Sequence, residues 1–237
     1  MDAIIIGTGF LDLSLKILNQ QTVSTPYGAA LILKTKFGSN IAVLIARHGL
    51  NHDIPPHLVN YRANIWALKK LKINNIYALA TVGGISENVP PQTLLVPNQI
   101  IDYTCGREHT FAQIGKMIHV DFTEPYSKKT RDKIIKTCKK LNIDCLSQAT
   151  HAVVSGPRLE TKAEIQKLRQ DGCDIVGMTG MPEASLAREL QQSYACLAIC
   201  VNWAAGVKDE IISLKQIKQN LKASSHNIKQ ILEKLLA

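Results

Sequence analysis

The sequence is poor in several features that mark whole classes of protein. Aromatic residues make up only 5% of its 237 residues, too few for the stacking surface of a single-strand nucleic-acid binder. The six cysteines form no CxxC pair, and no His/Cys spacing suggests a metal site. No apolar run approaches the roughly 18 residues of a membrane span, and no basic region precedes the first apolar run. We therefore expect a cytoplasmic protein with buried free thiols, no metal and no signal peptide.

The charge is biased toward basic residues. Lys and Arg number 28 against 19 Asp and Glu, which gives a net charge of +9. The lysines are spread over predicted helices instead of being clustered, so they indicate solvated helix faces and not a nucleic-acid partner. With 46% hydrophobic residues the chain can bury one sizeable core. We expect a single domain over residues 1–237.

Short apolar strands alternate with amphipathic helices along the chain. The pattern predicts strands at 3–6, 29–37, 41–46, 76–82, 94–101, 152–154, 175–176 and 194–201, with a hairpin turn at Gly38-Ser39. It predicts helices at 62–72 and 131–141, helices starting near Thr161 and at Pro182, and a long C-terminal helix that Ser213 and Gln216 begin. This alternation is typical of an α/β fold, a single domain with a largely parallel mixed central sheet flanked by helices.

The predicted strands end in small, hydroxyl and cationic residues. In largely parallel sheets ligands bind beyond the carboxyl ends of the strands, where turns distant in sequence converge. Five strands end in such turns: Gly7-Thr8-Gly9, Arg47-His48-Gly49, Gly83-Gly84, Met178-Thr179-Gly180 and Asn202-Trp203-Ala204. We expect them to form one pocket for an oxyanion such as phosphate beside a neutral hydrogen-bonding ligand. No Ser-His-Asp or Cys-His order stands out, so covalent catalysis is not indicated.

Taken singly, these turns leave their roles open. Gly7-Thr8-Gly9 lacks the third glycine of a dinucleotide-binding motif and the GK[ST] of a P-loop, so it is either a tight turn or an anion-facing backbone. Arg47 at the end of a buried strand needs an anionic partner, either in a structural ion pair or in a bound ligand. Thr179, ahead of Pro182 and Glu183, fits either an ordinary strand-to-helix loop or a site for an anion or a sugar.

Motifs along nearly the whole chain, taken in order, carry a family resemblance. They are Gly7-Thr8-Gly9, Ala46-Arg47-His48-Gly49, the stretch Asn60-Tyr61-Arg62-Ala63-Asn64-Ile65-Trp66-Ala67-Leu68, His119, Gly156-Pro157-Arg158, and Met178-Thr179 with Pro182-Glu183. With them the chain resembles the trimeric purine nucleoside phosphorylases, and most closely their methylthioadenosine phosphorylase branch. An ordered series of motifs is far more specific than any one of them.

The resemblance implies a phosphorolysis. Inorganic phosphate would attack C1′ of a purine nucleoside and release the base and a ribose 1-phosphate derivative, by positioning and electrostatics. Phosphate is then a co-substrate, and neither a cofactor nor a metal is implied. The match places Met178 along the ribose. It assigns phosphate binding to Thr8, Arg47, His48, Ala80, Thr81 and Thr179.

The resemblance also implies the partners. His119 matches the residue that a neighbouring subunit lends to the 5′ side of the pocket, so a homotrimer is expected. The small-molecule partners would be a purine nucleoside and phosphate. Neither a nucleic acid nor a membrane is expected.

The positions that match the base site depart from the methylthioadenosine branch. That branch carries aspartates after the last strand, where this chain has Asn202 and Ala204. Phosphorylases for 6-oxopurines place an Asn there and a Glu after the Gly-Pro motif, as Asn202 and Glu160 do here. Glu160, next to Leu159, would accept the N1–H of hypoxanthine, and Asn202 would bind O6 and N7. A mismatched base would cost about 1–3 kcal/mol. The alternative for Glu160 is an acid at a helix start.

The 5′ side favours an apolar group. Inosine phosphorylases of this fold place a His near the 5′-hydroxyl, and the corresponding region here offers Leu214. The expected reaction is therefore the phosphorolysis of S-methyl-5′-thioinosine in purine salvage, with Asn202, Glu160 and His48 as the catalytic residues. A methylthioadenosine phosphorylase, a general 6-oxopurine nucleoside phosphorylase and a catalytically inactive phosphate- or nucleoside-binding protein stay open as alternatives.

Overall fold

Within residues 2–10, 16–37 and 40–236, which the computed structural model describes, the regular structure consists of ten strands, five α-helices and a short 3-10 helix at Pro56–Leu58. The strands are β1 (Asp2–Ile6), β2 (Lys16–Thr25), β3 (Gly28–Phe37), β4 (Asn40–Ala46), β5 (Asn75–Gly84), β6 (Leu94–Leu95), β7 (Gln99–Tyr103), β8 (Thr150–Val154), β9 (Ile175–Gly177) and β10 (Ser193–Trp203). The helices are α1 (Tyr61–Lys70), α2 (Lys128–Lys140), α3 (Lys162–Gln170), α4 (Gly180–Glu189) and α5 (Leu214–Leu235).

The strands form one mixed sheet. Its order is β2-β3-β4-β1-β5-β9-β8-β7, and β10 pairs with β5 and β6 off this path. In the centre β4, β1, β5 and β10 are parallel neighbours, whereas β2–β3, β3–β4, β5–β9 and β6–β10 pair antiparallel. The carboxyl ends of the four central strands therefore lie at one edge of the sheet. The predicted α/β class with a mixed central sheet flanked by helices is confirmed.

Helices cover both faces of this sheet. Along β1, Ala3 and Ile5 pack into one core, and Ile4 and Ile6 pack into the other, because successive strand residues point to opposite faces. The first core includes residues of α1 and α4, and the second includes residues of α2 and α5. Burial on both faces explains why the central strands read as continuous apolar runs.

The strand β9 brings a fifth strand end to the same edge. Val176 and Ile175 pair antiparallel with Gly83 and Gly84, the last two residues of β5. Because β9 runs back along the tail of β5, its own end reaches the edge where the parallel strands stop. The five segments predicted to converge therefore come from four parallel strands and one that runs the other way. Two of them are not turns as predicted, because Gly83-Gly84 and Asn202-Trp203 are the last residues of β5 and β10.

One strand prediction was wrong, and one strand was missed. The strand predicted over 94–101 is two strands, β6 and β7, separated by a segment that contains Pro97, which has no N–H for a ladder. The strand β2 was not predicted, because its mostly exposed, mixed-polarity sequence suits only a sheet edge. The hairpin turn predicted at Gly38-Ser39 lies outside the described residues.

The helix starts follow the predicted caps with two differences. Thr161 and Glu164 form the complete capping box of α3. At α5 only half of the box exists: Ser213 Oγ accepts from Gln216 N at 3.2 Å, while the Gln216 side chain donates to Glu210. Pro182, predicted at the first helical position, lies third in α4 and has non-helical dihedral angles.

The cysteines differ in their exposure. All six cysteines are free thiols, and Cys138, Cys173, Cys196 and Cys200 are buried. Cys105 is exposed, which corrects the expectation that the thiols are buried. Among the described residues, none of the helices combines the length and the apolar composition needed to cross a membrane.

Candidate active site

A cavity of about 600 Å³ lies beyond the common strand edge. It gathers residues from the turns after β1, β4 and β9 and from the last parts of β5 and β10, together with the loop before α3 and the start of α5. Glu160 also lines a neighbouring cavity of about 290 Å³. Another, of about 710 Å³, shares Gly7, Thr8, His48, His52 and Ile217 with the main cavity. The predicted site residues that line the main cavity are Thr8, Arg47, His48, Ala80, Thr81, Leu159, Glu160, Met178, Thr179, Asn202 and Leu214.

Two predicted residues lie elsewhere. Ala204, predicted to influence base choice, is buried in a side core with Val176 and Ile85 and does not line the cavity. Its Cα lies 3.5 Å from the position that a Cβ on Gly83 would take, so Gly83 separates it from the site. His119 is exposed on the segment between β7 and α2 and does not line its own chain's cavity.

Arg47 forms a buried ion pair. Its Nε and Nη2 donate to the two carboxylate oxygens of Glu183 at 2.6 and 2.9 Å, and Nη1 donates to the Leu79 carbonyl at 2.8 Å. Both side chains are 1% exposed. Burial alone would lower the pKa of Arg47, but the Glu183 carboxylate outweighs it and holds that pKa above its ordinary value. Tyr194 donates its hydroxyl to Glu183 at 2.8 Å, which fixes the carboxylate further.

The two alternatives for Arg47 are thus not exclusive. The ion pair exists, and Arg47 also lines the cavity. Its positive charge is, however, already balanced by Glu183. An anion in the cavity would meet a neutral pair and the remaining N–H groups of the guanidinium, not an isolated cation.

His48 is held in one neutral form. Its Nδ1 lies 2.8 Å from the Ile54 carbonyl, which can only accept, so Nδ1 carries the proton. Burial lowers the pKa of His48 to about 4, and the charge of Arg47 adds to the effect. At neutral pH its Nε2 therefore has a lone pair and accepts a hydrogen bond. The natural donors to it are a sugar hydroxyl or the P–OH of monohydrogen phosphate.

Glu160 and Asn202 line another part of the cavity, one with an acidic side chain and the other with a neutral amide. Burial raises the pKa of Glu160 above its ordinary value, although the carboxyl still lines the cavity. Asn202 donates one amide hydrogen to the Trp203 carbonyl at 2.7 Å. Its second N–H and its Oδ1 stay available, one donor and one acceptor.

The loop that carries Glu160 is anchored by the start of α3. Thr161 N donates to Glu164 Oε2 at 2.7 Å, and Glu164 N donates to Thr161 Oγ1 at 3.1 Å. The same Glu164 carboxylate receives both Nη groups of Arg158 at 2.8 and 2.7 Å. One carboxylate therefore ties the residues on both sides of Glu160 to the helix.

The sequence reasoning missed His52. It lines the main cavity, its Nε2 lies 3.3 Å from Thr8 Oγ1, and its ring packs edge-on against His48 at 5.0 Å. The signal was present as a second histidine four residues after His48, in a loop that contains Gly49. Within the described part of the chain, no group of three or more His, Cys, Asp or Glu side chains is placed to hold a metal ion.

Comparison with known proteins gives the family of this fold and site. The model of the phosphorylase superfamily matches residues 2–237. The chain belongs to the phosphorylase superfamily. The family predicted from the sequence motifs is confirmed, and the cavity at the strand edge is the candidate active site of a superfamily member.

Named relatives of this superfamily member fall into three groups. A probable S-methyl-5′-thioinosine phosphorylase from Xanthomonas campestris pv. campestris is 45% identical over 98% of this chain and 96% of its own length. A 6-oxopurine nucleoside phosphorylase from Pyrococcus furiosus is 38% identical over 97% and 89%. Among solved structures, methylthioadenosine phosphorylase from Schistosoma mansoni in complex with adenine has a TM-score of 0.92 at 31% identity, covering 99% of this chain and 90% of that one.

Proposed function

We propose that this enzyme cleaves the N-glycosidic bond of S-methyl-5′-thioinosine with phosphate, giving hypoxanthine and 5-methylthioribose 1-phosphate. The observation that carries the proposal is that Glu160 and Asn202 line the same cavity as Thr8, His48 and Thr179. A purine held by the first pair would have its sugar beside an anion held by the other three. The names of the curated relatives support the substrate class.

The phosphate subsite of this proposal consists of hydroxyl and backbone donors, the N–H groups of Arg47 that Glu183 and Leu79 leave unused, and one acceptor. The hydroxyls of Thr8 and Thr179 and the backbone at Ala80 and Thr81 would donate to phosphate oxygens. His48 Nε2 would accept the remaining P–OH proton, so monohydrogen phosphate is the form that fits. Phosphate then lies under C1′ as positive charge develops on the sugar, and its own charge stabilises that transition state.

The base subsite favours a 6-oxopurine. Ionised Glu160 would accept the N1–H of hypoxanthine, whereas adenine presents a lone pair at N1 and would be repelled. The free N–H of Asn202 would donate to O6, and its Oδ1 would accept from N7 as the base leaves protonated there. Each role uses only the hydrogen-bonding capacity that the Trp203 contact leaves to Asn202.

The 5′ subsite decides between two candidate activities. Leu214 and Ile217, at the start of α5, give this part of the cavity an apolar lining that suits a methylthio group. Leu214 is 76% exposed, however, so the mouth is open enough for a 5′-hydroxyl as well. This openness, with the Pyrococcus relative, keeps a general 6-oxopurine nucleoside phosphorylase as the second candidate.

We also propose that the enzyme is a homotrimer that uses phosphate as a co-substrate and needs no cofactor. Ile114 and Met117, on the same segment as His119, are 108% and 76% exposed, which suits a surface covered by another subunit. Four buried free thiols are in keeping with work in a reducing cytoplasm.

The test is release of the free base (hypoxanthine, adenine or guanine) from S-methyl-5′-thioinosine, S-methyl-5′-thioadenosine, inosine and guanosine, each with and without phosphate. We expect phosphate-dependent release, with kcat/KM highest for S-methyl-5′-thioinosine. A preference for methylthioadenosine would contradict the base assignment, and a preference for inosine would favour the second candidate. Binding without any base release would show that the protein is not an enzyme.

A further inference from the structure

A second buried arginine lies behind the phosphate side of the cavity without lining it. Arg107 is 8% exposed. Its Nη1 donates to the carbonyls of Met178 at 2.8 Å and Met181 at 2.5 Å, and its Nη2 donates to those of Ser155 at 2.9 Å and Val154 at 3.4 Å. One guanidinium therefore joins the end of β8 to the turn that follows β9. These two segments lead to the base subsite and carry the phosphate subsite, respectively.

Arg107 differs from Arg47 in its charge balance. Glu183 neutralises Arg47, whereas among residues 2–10, 16–37 and 40–236 no carboxylate lies within ion-pair distance of Arg107. Its partners are neutral carbonyls, so the full positive charge stays in a region of low dielectric, where its field extends further than in water. This field reaches the cavity, because Arg107 is one of the positive groups that oppose protonation of His48.

The contact with Met178 also sets the direction of a peptide group. The Met178–Thr179 bond is trans, so its N–H points away from its carbonyl. The carbonyl is directed at Arg107, behind the cavity wall, and Thr179 lines the cavity itself. The Thr179 N–H is therefore turned away from Arg107, and the cation polarises the peptide so that this N–H becomes a stronger donor.

We propose that Arg107 is a positioning residue for the phosphate subsite. It fixes the Met178–Thr179 peptide with the Thr179 N–H toward the bound phosphate, and it supplies the unbalanced positive charge that attracts the dianion. It touches neither phosphate nor nucleoside. This proposal rests on the proposed phosphorolysis. It assigns a role to a residue that contacts neither substrate of that reaction.

The chain offers a matched control for testing this role. Arg131 is also 8% exposed and binds only carbonyls: Pro97 at 2.9 Å, Val96 at 3.4 Å, and Ser147. Neither Arg131 nor these carbonyls line the cavity. Arg107→Met and Arg131→Met therefore remove the same cation and the same kind of backbone contact, one beside the site and one away from it.

The experiment measures KM for phosphate, KM for the nucleoside, kcat and the thermal midpoint for both variants. We expect Arg107→Met to raise KM for phosphate at least about tenfold, since the unbalanced positive charge and the fixed orientation of the Thr179 N–H are both lost, while KM for the nucleoside changes much less. Arg131→Met should leave both KM values near those of the wild type. Equal phosphate KM values in the two variants, at comparable thermal midpoints, would overturn the proposal.

Arg107→Lys provides the second measurement and covers the case in which Arg107→Met does not fold. Lysine keeps the charge but cannot bind carbonyls of both segments with a planar fork. We expect its KM for phosphate to lie between those of the wild type and Arg107→Met. Wild-type kinetics in Arg107→Lys would overturn the positioning role. Failure of the wild type itself to release base would instead overturn the proposed function.

Discussion

At the scale of single residues, the site combines groups whose charge is controlled by burial. Glu183 neutralises Arg47, His48 stays neutral with its Nε2 as an acceptor, and Glu160 has a raised pKa. Such perturbed groups cluster at functional sites. Under the proposed function, the cavity would hold phosphate by hydrogen bonds and by the field of Arg107 more than by direct contact with a free cation.

Glu160 gives a prediction about pH and base choice. Because burial raises its pKa, the carboxylate protonates at a higher pH than a free glutamate as the pH falls. Its acceptor for N1–H is then lost, so kcat/KM for S-methyl-5′-thioinosine should fall on an acidic limb that lies above the usual Glu range. In Glu160→Gln this limb should disappear, and kcat/KM should drop about 10- to 100-fold.

The same variant should shift base preference, because a glutamine amide can donate to the N1 lone pair of adenine. The ratio of kcat/KM for S-methyl-5′-thioinosine to that for S-methyl-5′-thioadenosine is the measurement. Glu87→Gln is the control, since it removes the same charge from an exposed side chain that does not line the main cavity. An unchanged ratio in Glu160→Gln would mean that Glu160 does not bind the base.

At the scale of elements, helix capping positions the loop that carries Glu160. Thr161→Ala removes the side chain that accepts from Glu164 N, and should lower the free energy of unfolding by about 1 kcal/mol. Thr161→Ser keeps the hydroxyl and should retain most of this stability. Ser213→Ala serves as the comparison, since its box is only half formed, and should cost less. Urea unfolding at fixed pH measures all three, and equal losses at both helices would contradict the role of the complete box.

The elements also show how far sequence reasoning extends. The central strands and the capping box of α3 were predictable, because apolar runs and a Thr-x-x-Glu pattern are local signals. The edge strand β2 was not predictable, because its side chains are mostly exposed and show no clear apolar pattern. Its pairing with β3 is a contact between strands that its own sequence does not indicate. The convergence of strand ends was predictable from topology. The placement of Ala204 behind Gly83 was not, since it depends on a register shift between β5 and β10 near Asn202.

At the scale of the whole molecule, the proposed trimer predicts complementation between two defective variants. His119→Ala would impair the neighbour's site, and Glu160→Ala would impair the site of its own subunit. Trimers refolded from an equal mixture should recover roughly a quarter of the wild-type sites, because half of the subunits keep Glu160 and half of their neighbours keep His119.

Hypoxanthine release from the mixture, compared with each variant alone, is the measurement. Sedimentation of the wild type supplies the subunit count. The sum of the two separate activities, with no gain on mixing, would argue that His119 does not act across a subunit boundary. A monomer in sedimentation would contradict the trimer directly.

The Arg47–Glu183 pair has a consequence for synthesis on the ribosome. The two residues are separated by 136 positions in the sequence. If one were missing, the other would be a buried charge without its partner. An emerging chain that docked β4 before Glu183 had been made would bury a lone guanidinium, at a cost of several kcal/mol. We therefore expect the early strands to gain a stable arrangement only after α4, which carries Glu183, has been translated.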